Sequence, residues 1–123
     1  MYKILIADDE DNIRELVRVS LEDEGFEIHE AKDGVEAVEK AQKIKPNLMI
    51  LDVMMPGKTG YMVCEEIKQN PATKKTFVLF LTARGSQIAE HTASDKGGDA
   101  YMTKPFEPAE LRKKVRQALN IKS

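Results

Sequence analysis

Leu48-Met49-Ile50-Leu51-Asp52-Val53-Met54-Met55-Pro56 is the stretch whose reading decides the fold. It starts as an unbroken apolar run of strand length, the pattern of a parallel strand covered on both faces. Asp52 interrupts the run, and Pro56-Gly57 forbids it from continuing as a strand. A charge at the end of a buried strand is costly unless something nearby compensates it.

The flanking sequence repeats the theme. Ile4-Leu5-Ile6-Ala7 is another buried run, ended by Asp8, Asp9, Glu10 and Asp11. Asn12 can cap a helix whose apolar positions Ile13, Leu16, Val17 and Leu21 follow the 3.6 period, with Gly25 closing it. Phe26 to Ala31 alternates apolar and polar, which predicts a half-exposed strand at a sheet edge. Asp33-Gly34-Val35-Glu36 resembles a capping box, opening a helix that buries Val35, Val38, Ala41 and Ile44 and ends at Pro46.

Beyond the central stretch, Gly60, Val63, Cys64 and Ile67 mark a third helix ending near Asn70-Pro71. Phe77-Val78-Leu79-Phe80-Leu81 is a fourth strand with Thr82 at its end. A fourth helix, from Ser86 to Lys96, carries Ile88, Ala89, Thr92 and Ala93 at helical spacing and stops at Gly97-Gly98. Asp99 to Thr103 is a short last strand ending at Lys104-Pro105. Pro108 suits the first turn of a final helix, with Leu111, Val115, Ala118 and Leu119 inward and Arg112, Lys113 and Arg116 outward. Five strands alternating with helices predict an α/β fold, a doubly wound parallel sheet that binds ligands outside the carboxyl ends of its strands.

The bulk numbers agree with that class. The 123 residues suit a single domain over positions 1–123, large enough to bury a core without staples. A net charge of −2, from 19 basic and 21 acidic residues, gives no field favouring nucleic acid or an anionic membrane. No apolar run approaches the ~18 residues of a membrane span, and Met1-Tyr2-Lys3 leads into a strand without a signal-peptide pattern. One cysteine excludes an internal disulfide, so a cytoplasmic protein is expected.

In a parallel sheet the strand ends share one edge, so Asp8, Asp9, Asp52, Thr82 and Lys104 converge. Three carboxylates within ~4–5 Å repel by several kcal/mol per pair at an effective dielectric of about 20, more than one lysine offsets. A divalent cation does offset it, and oxygen ligands without His or Cys favour Mg²⁺ over zinc. The Thr82 hydroxyl and Lys104 ammonium then remain as donors for an anion such as a phosphoryl group.

Together, Ile4-Leu5-Ile6-Ala7-Asp8-Asp9-Glu10, Leu51-Asp52-Val53-Met54-Met55-Pro56-Gly57, Leu81-Thr82-Ala83-Arg84 and Tyr101-Met102-Thr103-Lys104-Pro105-Phe106 resemble the receiver domain of two-component response regulators, from Lys3 to about Leu119. The resemblance implies a flavodoxin-like (βα)5 sheet in strand order 2-1-3-4-5 and a phosphorylation-activated switch, not an enzyme acting on an outside substrate. It implies that Asp52 accepts a phosphoryl group from a sensor histidine kinase or a phosphotransfer protein. Asp9, Asp52 and the Met54 carbonyl would ligate Mg²⁺ directly, with Asp8 helping through water. Lys104, before a cis Pro105, would pair with the phosphate; Thr82 would swing to it and Tyr101 turn inward behind. Met54 and Arg84 would tune dephosphorylation, and with neither a carboxylate nor an amide there, the expectation is slow loss. The output would pass to a protein target or output domain through the fourth helix, last strand and last helix, without direct nucleic acid or membrane contact. Where the family usually has paired acids before the tyrosine, this chain has Asp99-Ala100, which departs from the ion-paired receiver dimer.

Each residue also has a plainer reading. The acidic run can serve a helix start through the macrodipole, Cys64 fits a core stripe, and His29 and His91 fit the surface. Two other functions compete. A haloacid-dehalogenase-like phosphatase would use Asp9-Glu10-Asp11, Thr82 and Lys104, but it leaves Asp52 idle and leaves no room for a cap. A receiver-shaped binding module that never takes phosphate would not need the complete set.

Overall fold

Each apolar run quoted above becomes a strand, and every strand pairing is parallel. The structure is a computed structural model that describes residues 1–83 and 98–121. The strands are β1 (Lys3–Ala7), β2 (Glu27–Ala31), β3 (Leu48–Asp52), β4 (Phe77–Ala83) and β5 (Ala100–Lys104). They form one sheet in the order β2-β1-β3-β4-β5, as expected. The helices are α1 (Asp11–Leu21), α2 (Gly34–Ile44), α3 (Gly60–Gln69) and a C-terminal helix (Pro108–Ala118). The expected fourth helix from Ser86 to Lys96, with Arg84, His91 and Gly97, lies outside the described residues.

Strand alternation splits the core in two. Leu5, Ala7, Met49, Leu51, Val78 and Phe80 face α2 and α3, where Ala37, Ala41, Val63, Cys64 and Ile67 cover them. Ile4, Ile6, Leu48, Ile50, Leu79 and Leu81 face α1 and the C-terminal helix, where Val17, Leu21, Leu111 and Val115 close the second core. A sheet covered on both faces explains why β1 and β3 are apolar at successive positions. β2, at the edge, is only partly buried over most of its length.

Several local expectations need correction. α1 starts at Asp11 with Glu10 at its N-cap, not Asn12, because the Asp8 carboxylate has already taken the Glu10 N–H at 2.9 Å. Ser20 is buried on α1 in place of Leu16, its hydroxyl donating to the Leu16 carbonyl at 2.6 Å. Val35 is exposed, and Gly34 and Ala37 take the inward places on α2. Arg112 and Arg116 are not simply outward: the first donates to the Ser20 carbonyl at 3.4 Å and the second pairs with Glu24 at 2.6 Å, tying the C-terminal helix to α1 and to the turn Glu22–Glu24 that follows it.

The cap on α2 is the one the sequence suggests, and the structure adds one on α3. Asp33 accepts from the Glu36 N–H at 2.8 Å, and Thr59 accepts from Met62 N–H at 3.2 Å. Gly60 opens α3 against the end of β3: a Cβ there would stand 2.3 Å from the Asp52 carbonyl oxygen. Gly25, in contrast, has open space but a φ of +79°.

These two glycines should respond differently to alanine. Gly25→Ala meets only the left-handed backbone penalty, about 1–2 kcal/mol. Gly60→Ala must push the β3 end aside and should cost about 2–3 kcal/mol, within the range for overpacking a tight contact. Urea unfolding of both variants checks the order; an equal or smaller loss for Gly60→Ala would contradict the seating of α3 on Asp52.

Candidate functional site

Register brings the strand ends together. Ala7 stands beside Leu51 and Asp52 beside Leu81, so Asp8 and Asp52 leave neighbouring strands side by side. Thr82 stands beside Thr103, and Ala83 beside Lys104. Lys104 reaches back over β4: its Nζ donates to Asp8 Oδ2 at 3.0 Å and to Asp52 Oδ1 at 3.1 Å. Asp8 is 0% exposed and Asp52 6% exposed, whereas Asp9 is exposed. The Lys104-Pro105 bond is cis.

Burial and the neighbouring Asp8 push the Asp52 carboxyl up to about 6, against the opposing pull of the Lys104 ammonium. Burial alone would lower Lys104, but its bonds to Asp8 and Asp52 outweigh that and raise it. The ammonium therefore stays charged, and Asp52 is mostly ionised at neutral pH. The Met54 N–H also faces Asp52 Oδ1, at a long 3.4 Å.

Asp8, Asp9 and Asp52 each present one carboxylate oxygen within 4.8 Å of the others. At that separation and an effective dielectric of about 20, a pair of charges repels by roughly 3.5 kcal/mol. Three carboxylates against one ammonium leave two negative charges, the deficit that one divalent cation removes. The donors are hard oxygens with no His or Cys among them, which suits Mg²⁺. Thr82 supplies a second sign of a missing group: 2% exposed, its hydroxyl has no partner among the described residues. A buried hydroxyl without a partner costs about 1–3 kcal/mol, which an incoming acceptor would recover. The residues present therefore fit both a cation and an anion.

The remaining residues singled out from sequence fall into place more loosely. Tyr101, on β5, is partly buried against the α2/α3 core. Met54 is 72% exposed beside the site. Cys64 is buried and its thiol is pushed up to about 11 by that burial, so it is a core residue. His29 is only partly buried, on the edge strand, and pairs with Glu27 at 2.8 Å. Two contributors went unread in the sequence. Gly60 fixes the backbone of Asp52, and Arg14 donates to the Asp8 main-chain carbonyl at 2.7 Å. A lone cation one turn after four consecutive acids was the available signal for Arg14.

The family model for the response regulator receiver domain matches residues 4–116. The alkaline phosphatase synthesis transcriptional regulatory protein PhoP of Bacillus subtilis is 41% identical over 95% of this chain and 48% of its own length. The chain thus spans about half the length of that curated relative. A solved structure from Chloroflexus aurantiacus has a TM-score of 0.93 at 37% identity, covering 97% of this chain and 98% of that one. The chemotaxis response regulator CheY4 of Vibrio cholerae has a TM-score of 0.90 at 35% identity, covering 96% and 98%. The phosphatase alternative gains no support from these likenesses, and it would leave idle the carboxylate on which Lys104 converges.

The raised Asp52 gives a pH test in chelator. Its folded value, about 6, lies above the ordinary 3.8, so the folded state binds this proton more tightly. The stability cost is absent below about pH 4, grows as pH rises through about 6 and is constant above, reaching up to about 3 kcal/mol. Asp52→Asn should therefore unfold at higher urea than the wild type at about pH 8, with the gain gone near pH 4. A gain independent of pH would contradict this assignment.

Proposed function

Because the chain belongs to the response regulator receiver domain family, we propose that it is a switch driven by phosphorylation of Asp52, with residues 1–123 forming one receiver unit. The observation that best supports this is the Lys104 ammonium held between Asp8 and Asp52, together with a buried Thr82 hydroxyl that has no partner among the described residues. The donor would be a phosphohistidine on a sensor kinase or phosphotransfer protein. An Asp52 carboxylate oxygen forms the new P–O bond while the P–N bond breaks, its electron pair returning to the imidazole nitrogen, which takes up a proton from solvent.

Mg²⁺, held by Asp9, Asp52 and the Met54 carbonyl with Asp8 acting through water, would supply the positive charge that the three acids lack. The chain's own groups do the positioning. Asp52 Oδ1 is already bonded to Lys104, which orients the carboxylate and would move with its charge onto the acyl phosphate. Thr82 would gain a charge-assisted hydrogen bond in the phosphorylated state only, about 1.5–3 kcal/mol, and Tyr101 would follow it inward. That differential contact would bias the surface formed by β5 and the C-terminal helix. A protein target or output domain would read that surface, with no nucleic acid or membrane contact by this domain. Among the described residues no helix is long and apolar enough to cross a membrane; we place the protein in the cytoplasm with its kinase. Met54 presents a thioether that cannot align water, and with Arg84 at the second tuning position the phosphate should be lost slowly. The chain would catalyse nothing beyond its own phosphotransfer and slow dephosphorylation.

Acetyl phosphate or phosphoramidate should label the wild type to one phosphate per chain, only with Mg²⁺, and Asp52→Asn should take none because an amide is a far weaker nucleophile. Thr82→Ala should still be labelled, yet show little change in hydrogen exchange across β5 and the C-terminal helix. Stable, stoichiometric labelling of Asp52→Asn would overturn the acceptor.

A further inference from the structure

We propose that Arg14 is a positioning residue for the acidic site, acting through the main chain of Asp8. This inference rests on the reading of Asp8, Asp9 and Asp52 as a cation site. Every polar group of Asp8 is engaged. Its N–H donates to the Ala31 carbonyl at 3.2 Å, Oδ1 accepts from Glu10 N–H at 2.9 Å, Oδ2 accepts from Lys104, and its carbonyl accepts from Arg14 Nη1 at 2.7 Å. Only the Arg14 contact reaches Asp8 from the helix that follows it. The same guanidinium bonds Asp11 through Nη2 and Glu30 on β2 through Nε at 3.3 Å. One planar fork thus joins the end of β1, the start of α1 and the neighbouring strand.

Arg14 is well placed for such a role. Its side chain is 14% exposed and Asp8 is fully buried, so water competes little for the bond between the guanidinium and the Asp8 carbonyl. Glu30 is held from a second side by Arg18 at 3.6 Å and, at its carbonyl, by Lys40, so the fork is seated on an anchored partner. The peptide whose carbonyl Arg14 holds is the one joining Asp8 to Asp9. Rotation of that peptide would swing the exposed Asp9 carboxylate relative to the buried pair Asp8 and Asp52. Arg14 thereby restricts the one acid of the three that burial does not restrain. A lysine could reach any one of these acceptors but not three at once, because it lacks the rigid fork.

The test compares Arg14→Gln, Arg14→Lys and Glu30→Gln, each titrated with Mg²⁺ by calorimetry and unfolded by urea in chelator. Arg14→Gln and Arg14→Lys should both weaken Mg²⁺ binding by about tenfold or more, the usual loss when a group that orients a metal ligand is removed. Glu30→Gln, which breaks the ion pair but leaves the Asp8 carbonyl bonded, should bind Mg²⁺ nearly as the wild type does while losing comparable urea stability. Wild-type Mg²⁺ affinity in both Arg14 variants, or rescue by lysine, would reduce Arg14 to a structural ion pair and overturn the inference while leaving the cation site intact. No Mg²⁺ binding by the wild type itself would overturn the underlying reading, and the inference with it.

Discussion

Everything at the carboxyl edge of this sheet follows from one constraint: three carboxylates have to share a small volume with a single ammonium. Lys104 lies 96 residues from Asp8 and 52 from Asp52 in the chain, yet it bonds both near 3 Å. Two of the acids are almost wholly withdrawn from water, where each unpaired charge is expensive. Burying them is tolerable because Lys104 stays charged and because Asp52 can hold its proton to a higher pH than an ordinary carboxyl. The same imbalance suits a divalent cation, and the Thr82 hydroxyl, without a partner among the described residues, suits an anion once that cation offsets the carboxylates. Stability and function pull in opposite directions here, as is common where strain is kept at a site.

The fold exists to hold that imbalance in register. Two separate cores, one on each face of the sheet, fix the strands from both sides, so the strand ends cannot slide to relieve repulsion. Close approaches add to the confinement: Gly60 sets the first turn of α3 against the Asp52 carbonyl, and Val53 N–H extends the ladder by bonding the Leu81 carbonyl at 3.1 Å. Asp8 is pinned at every polar atom. Asp9 is the freest of the three acids, which gives an incoming ion a way in and makes its backbone orientation worth controlling.

The sheet and the meeting of its acids were legible in sequence because period and punctuation agreed. Apolar runs ending in Asp8, Asp52, Thr82 and Lys104 needed only parallel order to converge, and the resemblance supplied that order. Faces of helices were less legible. Leu16 and Val35 are apolar and correctly spaced, yet Ser20, Gly34 and Ala37 are the buried positions, and Gly34 lies so close to Lys58 that small volume mattered more than hydropathy. The cap of α1 was misread because Asp8, a site residue, also satisfies the helix start, a tertiary duty that local propensity for Asn12 could not reveal. Arg112 and Arg116 were read as outward cations and Arg14 was not read at all; only the packing of α1 and the turn after it against their neighbours shows their carbonyl and carboxylate partners.

The central claim is that Lys104 is what makes the buried Asp8 and Asp52 carboxylates tolerable in this site. A double-mutant cycle measures this most directly: wild type, Lys104→Gln, Asp52→Asn and the pair, unfolded in urea at neutral pH with metal chelated. Lys104→Gln alone should be strongly destabilising, about 3 kcal/mol or more, since it strands two buried carboxylates. Adding Asp52→Asn to Lys104→Gln should raise stability by about 1–3 kcal/mol more than Asp52→Asn does in the wild type, and that excess is the coupling. Effects that simply add, or a Lys104→Gln variant as stable as the wild type, would contradict the account.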